Sequence, residues 1–231
     1  MSKLALVVLA VAVALAVAAA ALAGSKDPQL HKRAADVRLA KSLILKRADL
    51  PAGFADKGPD KSSGPVPDVC PPPNLHSLVM TADVSSHNFV RKSSGGYGEV
   101  SSGASFFLRP AQAQKAVAVV TSKKMGPCLK QAVIKGASKG SHGVLKVVST
   151  HVTPISESVV DMRIKLWDIV AVFKVKGHLV QDELVLGYFL RGRVVSSLMV
   201  NSLHGLSESE SRDISEKLTF RLESLPKSAV R

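Results

Sequence analysis

The sequence predicts an α+β domain in which an antiparallel β-sheet is packed by N-terminal, middle and C-terminal helices. Two observations carry this. Between residues 99 and 200, apolar and polar residues alternate in segments joined by short turns, so consecutive strands pair antiparallel. Around residues 34–47, 110–135 and 207–225, apolar residues recur every three or four positions. Each of these helices has one apolar stripe that must cover a sheet.

Residues 4–23 stand apart from that pattern. They form an unbroken apolar run, preceded by Lys3 and closed by the small-x-small triplet Ala21-Leu22-Ala23. A charged start, an apolar stretch and a small-residue cleavage site describe a signal peptide, residues 1–23, cut before Gly24. A retained membrane anchor is the competing reading, since about twenty residues span a bilayer. The segment after the cut, residues 24–33, is polar and is expected to be a flexible leader.

The single domain is expected over residues 34–225, with residues 226–231 as a tail. The first helix places Val37, Ala40, Leu43 and Ile44 inward and ends near Pro51 and Gly53. Residues 56–74, rich in Pro, Gly and Ser, form a loop. Residues 75–92 fit either a short helix or a strand, and residues 93–98 form a turn. Val100, Ser102, Ala104, Phe106 and Leu108 share one face of a strand over residues 99–109. Pro110 suits a helix first turn. Gly126-Pro127 is expected to break that helix, with a short second helix from Cys128 to Lys135. Strands follow from Val144 to Val152, stopped by Pro154, then from Val160 to Leu166 and from Ile169 to Val175. Leu184–Leu190 and Val194–Val200 flank Arg191-Gly192-Arg193 as a hairpin. Ser207 and Glu210 form a capping box for the last helix, whose stripe is Ile214, Leu218, Leu222 and Leu225. Pro226 ends it.

Several of these residues together resemble a group of secreted actinobacterial sensor-like domains, similar to the extracellular domain of a mycobacterial serine/threonine kinase. They are Arg47-Ala48-Asp49-Leu50-Pro51-Ala52-Gly53-Phe54, the Ser-rich strand before an Ala-rich helix, Pro127-Cys128-Leu129, and Arg191-Gly192-Arg193-Val194-Val195 ahead of the capped helix. The resemblance covers roughly residues 34–225. It implies an antiparallel sheet packed with helices around a cleft, and binding of a ligand there. It offers no catalytic motif, and the chain carries no kinase domain.

The two cysteines, Cys70 and Cys128, are expected to pair, because two thiols in an exported chain usually do. The closed loop of about 59 residues corresponds to roughly 4 kcal/mol of stabilisation. A catalytic cysteine would need a neighbouring base, and no motif supplies one.

The seven histidines show no metal-binding spacing, and no G-x-S-x-G or phosphate-loop motif is present. Asp161, Asp168 and the Asp182-Glu183 pair are the only carboxylates considered for paired acid–base work, and strand carboxylates are more often solvated. No cofactor is expected, and no enzyme activity.

Charge is the sharper signal. The chain carries 31 Lys+Arg against 18 Asp+Glu, a net +13. No acid occurs between Glu99 and Glu157, where eight cations lie. Lys123, Lys124, Lys130, Lys135 and Lys139 cluster beside Cys128 and are expected to form an anion-contact surface, or simply a solvated face. Few aromatics are present for base stacking, which excludes nucleic acid as the favoured partner. The expected function is therefore a secreted, non-enzymatic ligand-binding or sensor-like domain of the bacterial cell envelope. Its partner would be an anionic envelope component or a small molecule. It would meet the membrane only through an uncleaved N-terminal segment or by surface contact. A hydrolase with an unrecognised site and a purely structural envelope protein are the alternatives.

Overall fold

The computed structural model describes residues 28–59, 75–93, 96–140, 145–159 and 161–231, side chains 138–140 excepted. The segment expected to be a signal peptide, residues 24–27, and Cys70 lie outside the described residues. Among the described residues, no helix is long and apolar enough to cross a membrane.

The fold class is α+β. Nine strands form one sheet: β1 (Gln29–Leu30), β2 (Ala55–Asp56), β3 (Val79–Ser85), β4 (Phe89–Lys92), β5 (Tyr97–Phe107), β6 (Leu145–Val159), β7 (Met162–Val175), β8 (His178–Arg191) and β9 (Val194–Leu203). Their order is β1-β3-β5-β9-β8-β7-β6, and β4 also pairs with the first part of β5. The helices are α1 (Ala34–Leu43), α2 (Pro110–Val120), α3 (Met125–Gly140), α4 (Glu208–Glu223) and α5 (Lys227–Val230).

The sheet departs from a wholly antiparallel one at β1, which runs parallel to β3. Residues 28–33 are therefore not a free leader. The Gln29, His31 and Arg33 amides donate to the Leu78, Met80 and Thr81 carbonyls at 2.8 Å. The expected tail differs likewise. Helix α5 packs Ala229 into the core, and the Arg193 amide donates to the Val230 carbonyl at 3.0 Å.

Four further boundaries shift for physical reasons. Residues 75–92 contain two strands. Gly126-Pro127 lies within α3 rather than breaking a helix before it, because a first-turn proline gives up an amide that has no intrahelical partner. Pro154 does not stop β6, which is the terminal strand and can turn a missing donor outward. The segments on either side of Leu166 form the single strand β7.

Strand alternation gives the sheet two packed faces. Val194, Leu198 and Val200 of β9 join Phe189 of β8 and Phe106 of β5 under α1 and α4. The intervening Val195 and Leu190 meet α2, and Met199, Leu186 and Leu184 meet α3. On the α1/α4 face, arginines tie the helices down. Arg193 pairs bidentately with Asp36 of α1 at 2.7 and 2.9 Å. The Thr81 hydroxyl also donates to Asp36 at 2.5 Å. Arg193 foremost holds the Asp36 carboxyl below its ordinary range, against the opposing effect of burial. Arg191 donates to the Leu222, Glu223 and Leu225 carbonyls at the end of α4. Arg91 pairs bidentately with Glu210, and Arg221 pairs with Asp49.

Candidate functional site

The α2/α3 face is built differently. Helices α2 and α3 cover two separate apolar clusters, and Tyr188 packs against both. Alongside them lies a groove of about 200 Å³ lined by β3, β5, β8 and β9. Apolar Leu186 and Met199 line it together with several serines. Ser86 and Ser102 are committed to the fold: the Ser102 amide donates to the Ser86 hydroxyl, and the Leu45 amide donates to the Ser102 hydroxyl. Ser85, Ser101 and Ser197 are not engaged in this way and line the groove with Tyr188. Gly103 lets the Ser197 side chain approach closely, since a Cβ there would stand 2.7 Å from the Ser197 hydroxyl oxygen. No histidine or carboxylate is among the residues lining this groove.

Along the same face, one residue pair further, lies a buried polar cluster. Ser101 pairs with Met199 at the groove, and Glu99 pairs with Asn201 beyond it. Leu184 is opposite Asn201, which places Asp182 diagonally across on the same face. Asp182 and Asn201 are each 1% exposed, and Glu99 is 4% exposed. Glu99 is engaged, accepting from the Tyr97 hydroxyl at 2.5 Å and from the Asn88 amide. Both carboxylate oxygens of Asp182 and both side-chain atoms of Asn201 lack a hydrogen-bond partner. Thr150, one row across from Asp182 with Ala171 between them, has an unpartnered hydroxyl. Burial pushes the Asp182 carboxyl up to about 7, against the opposing effect of the Glu183 backbone amide, with the charges of Glu99 and Glu183 adding to the rise.

Asp182 is thus not the solvated strand carboxylate its polarity implied. A readable signal existed: Asp182, Leu184, Leu186, Tyr188 and Leu190 occupy alternate positions of β8 and therefore share a face. The other carboxylates do not join it. Asp168 and Glu183 lie on the opposite face, and Asp161 lies between β6 and β7. Among the described residues, no group of three His, Cys, Asp or Glu could hold a metal ion.

Lys123 and Lys124 lie between α2 and α3, and Lys130 and Lys135 lie on α3; all four are exposed. Lys130 and Lys135 are five residues apart, about 140° around a helix, so they project from different flanks. Lys139 belongs to α3, but its side chain is outside the described set. Ion pairs among the described residues use arginine or histidine, not these lysines. Cys128 packs at the edge of the α3 cluster and is not a free thiol.

No protein-family model and no curated protein matches the chain. Among solved structures, the extracellular domain of PknH from Mycobacterium tuberculosis is similar at 8% identity, over 81% of this chain and 97% of that one, with a TM-score of 0.34. A likeness that loose carries no argument about the site.

Proposed function

We propose that this protein is a non-enzymatic, extracytoplasmic binding domain that seats a small uncharged ligand in the serine-lined groove over β3, β5, β8 and β9. The observation that carries the reading is the groove's chemistry. Serines beside apolar Leu186 and Met199 suit a ligand with both hydroxyl groups and an apolar face, such as a sugar ring. Serine hydroxyls without an adjacent base are hydrogen-bonding groups rather than nucleophiles, which favours binding over hydrolysis. The apolar N-terminal segment supports export, and a Cys70–Cys128 disulfide in the exported chain belongs to the same reading.

Calorimetric titration with N-acetylglucosamine oligomers and with maltose tests it. Binding to the wild type is expected, and Ser197→Leu, which fills the groove, should weaken it at least about tenfold, the equivalent of roughly 1.4 kcal/mol. No heat with either sugar series, or unchanged binding by Ser197→Leu, overturns the proposal.

A second reading rests on the exposed lysines. Lys123, Lys124, Lys130 and Lys135 would meet an anionic envelope surface such as phospholipid headgroups. Replacing all four by Glu should abolish salt-sensitive binding to phosphatidylglycerol vesicles. Unchanged binding by that variant removes the reading.

A further inference from the structure

We propose that Asp182 and Asn201 form an internal binding site for a hard, oxygen-seeking cation. The site is separate from the groove and stands whether or not the groove binds a sugar.

The argument starts from what burial demands. Buried polar groups are almost always hydrogen-bonded, and an unpaired buried charge is among the most unfavourable features a fold can carry. Asp182 strains both rules at 1% exposure: the Glu183 backbone amide acts on its carboxylate, but neither oxygen makes a well-formed hydrogen bond. Asn201, diagonal to it on β9, violates the first with both side-chain atoms. Two adjacent residues on the same face, both buried and both unsatisfied, point to one missing occupant.

The donor set defines its chemistry. Asp182 offers two carboxylate oxygens and Asn201 an amide oxygen, with water completing the shell. All these ligands are hard oxygens, with no imidazole or thiolate among them, which suits sodium, magnesium or calcium rather than zinc or copper. Glu99, opposite Asn201, adds negative potential while its own oxygens are held by Tyr97 and Asn88. A cation would neutralise the Asp182 carboxylate and give Asn201 a ligand to orient toward.

The test is thermal unfolding of chelator-treated protein in sodium, magnesium, calcium and choline chlorides at equal ionic strength. Choline is too large and too soft to enter. At least one small cation should raise Tm by several degrees in a saturable way above the choline control, and Asp182→Asn should remove that rise. Superimposed curves in all four salts overturn the proposal, as does a rise that persists in Asp182→Asn. Should that variant not fold, calorimetric titration of the wild type with the same three cations decides the matter: saturable heat supports the site, and no heat from any of them overturns it.

Discussion

The two faces of the sheet handle buried polarity in opposite ways. Under α1 and α4, Arg193 meets Asp36, Arg91 meets Glu210 and Arg221 meets Asp49. Under α2 and α3, Asp182, Asn201 and Thr150 are buried with unpartnered polar atoms, beside an open serine-lined groove. The first face uses most of its polar groups to fix helices onto the body of the fold, the unpartnered Asp168 Oδ1 being an exception. The second leaves polar capacity unspent, which is what a surface that holds something other than itself requires. On the proposed reading, stability and binding fall on opposite sides of one sheet, and substitutions on the two sides should differ in sign as well as size.

The largest effect is expected where the α1/α4 face is broken from within. Asp36→Ala would leave the Arg193 guanidinium buried and without its carboxylate. Removing one partner of a buried pair costs about 3–5 kcal/mol. Urea unfolding should show a drop of that order in the midpoint-derived stability. A loss below about 1 kcal/mol would mean that the pair is not what anchors α1.

Backbone geometry at the same hairpin gives the next largest effect. Gly192 has φ +56°, and a Cβ there would stand 1.8 Å from the Val230 carbonyl oxygen. Gly192→Ala must displace α5, at a cost of about 2 kcal/mol. Loss of amide protection at Arg193, whose N–H donates to Val230, would confirm the displacement by hydrogen exchange.

Much of this scaffold is readable in the sequence. The Ser207–Glu210 capping box forms as spelled, with the Ser207 amide donating to the Glu210 carboxylate at 2.9 Å. The Arg191-Gly192-Arg193 turn closes the β8–β9 hairpin as expected. Local rules reach these because their partners lie within a few residues. They do not reach Arg193–Asp36, separated by 157 positions, since nothing local marks which arginine will be buried. Nor do they reveal the groove, whose lining comes from β3, β5, β8 and β9, segments far apart in sequence. Asp182 falls between these cases. Its alternation with Leu184 and Leu186 marks it as inward, but polarity alone argues for solvent.

An acid titration sharpens the comparison by a smaller amount. The Arg91 hydrogen bonds foremost, and then the Ser207 amide, hold the Glu210 carboxyl down to about 2 against an ordinary 4.5. A lowered carboxyl stabilises the fold fully above its unfolded value and loses that contribution as pH falls through the folded one. The window is therefore from about pH 4.5 down to about pH 2. The pair is partly exposed, so solvent screening reduces the effect to about 1 kcal/mol. Arg91→Gln should flatten this part of the pH profile, and an unchanged slope would assign it to other carboxylates.

The smallest expected effect has the opposite sign and separates the faces most cleanly. Asp182→Asn keeps the shape of the side chain and removes its charge. On the α1/α4 face such a change would strip an arginine of its partner. Here neither oxygen of Asp182 makes a well-formed hydrogen bond, and the Glu183 backbone amide that acts on the carboxylate can act on the Asn amide oxygen in its place. What is removed is the desolvation penalty of a buried carboxylate, so in chelator-treated protein at pH 8 the variant should be equally stable or more stable by up to about 1 kcal/mol. A loss of 2 kcal/mol or more in those conditions would show that Asp182 is tied into the fold as firmly as Asp36, and the division between a clamped face and a receptive one would fail.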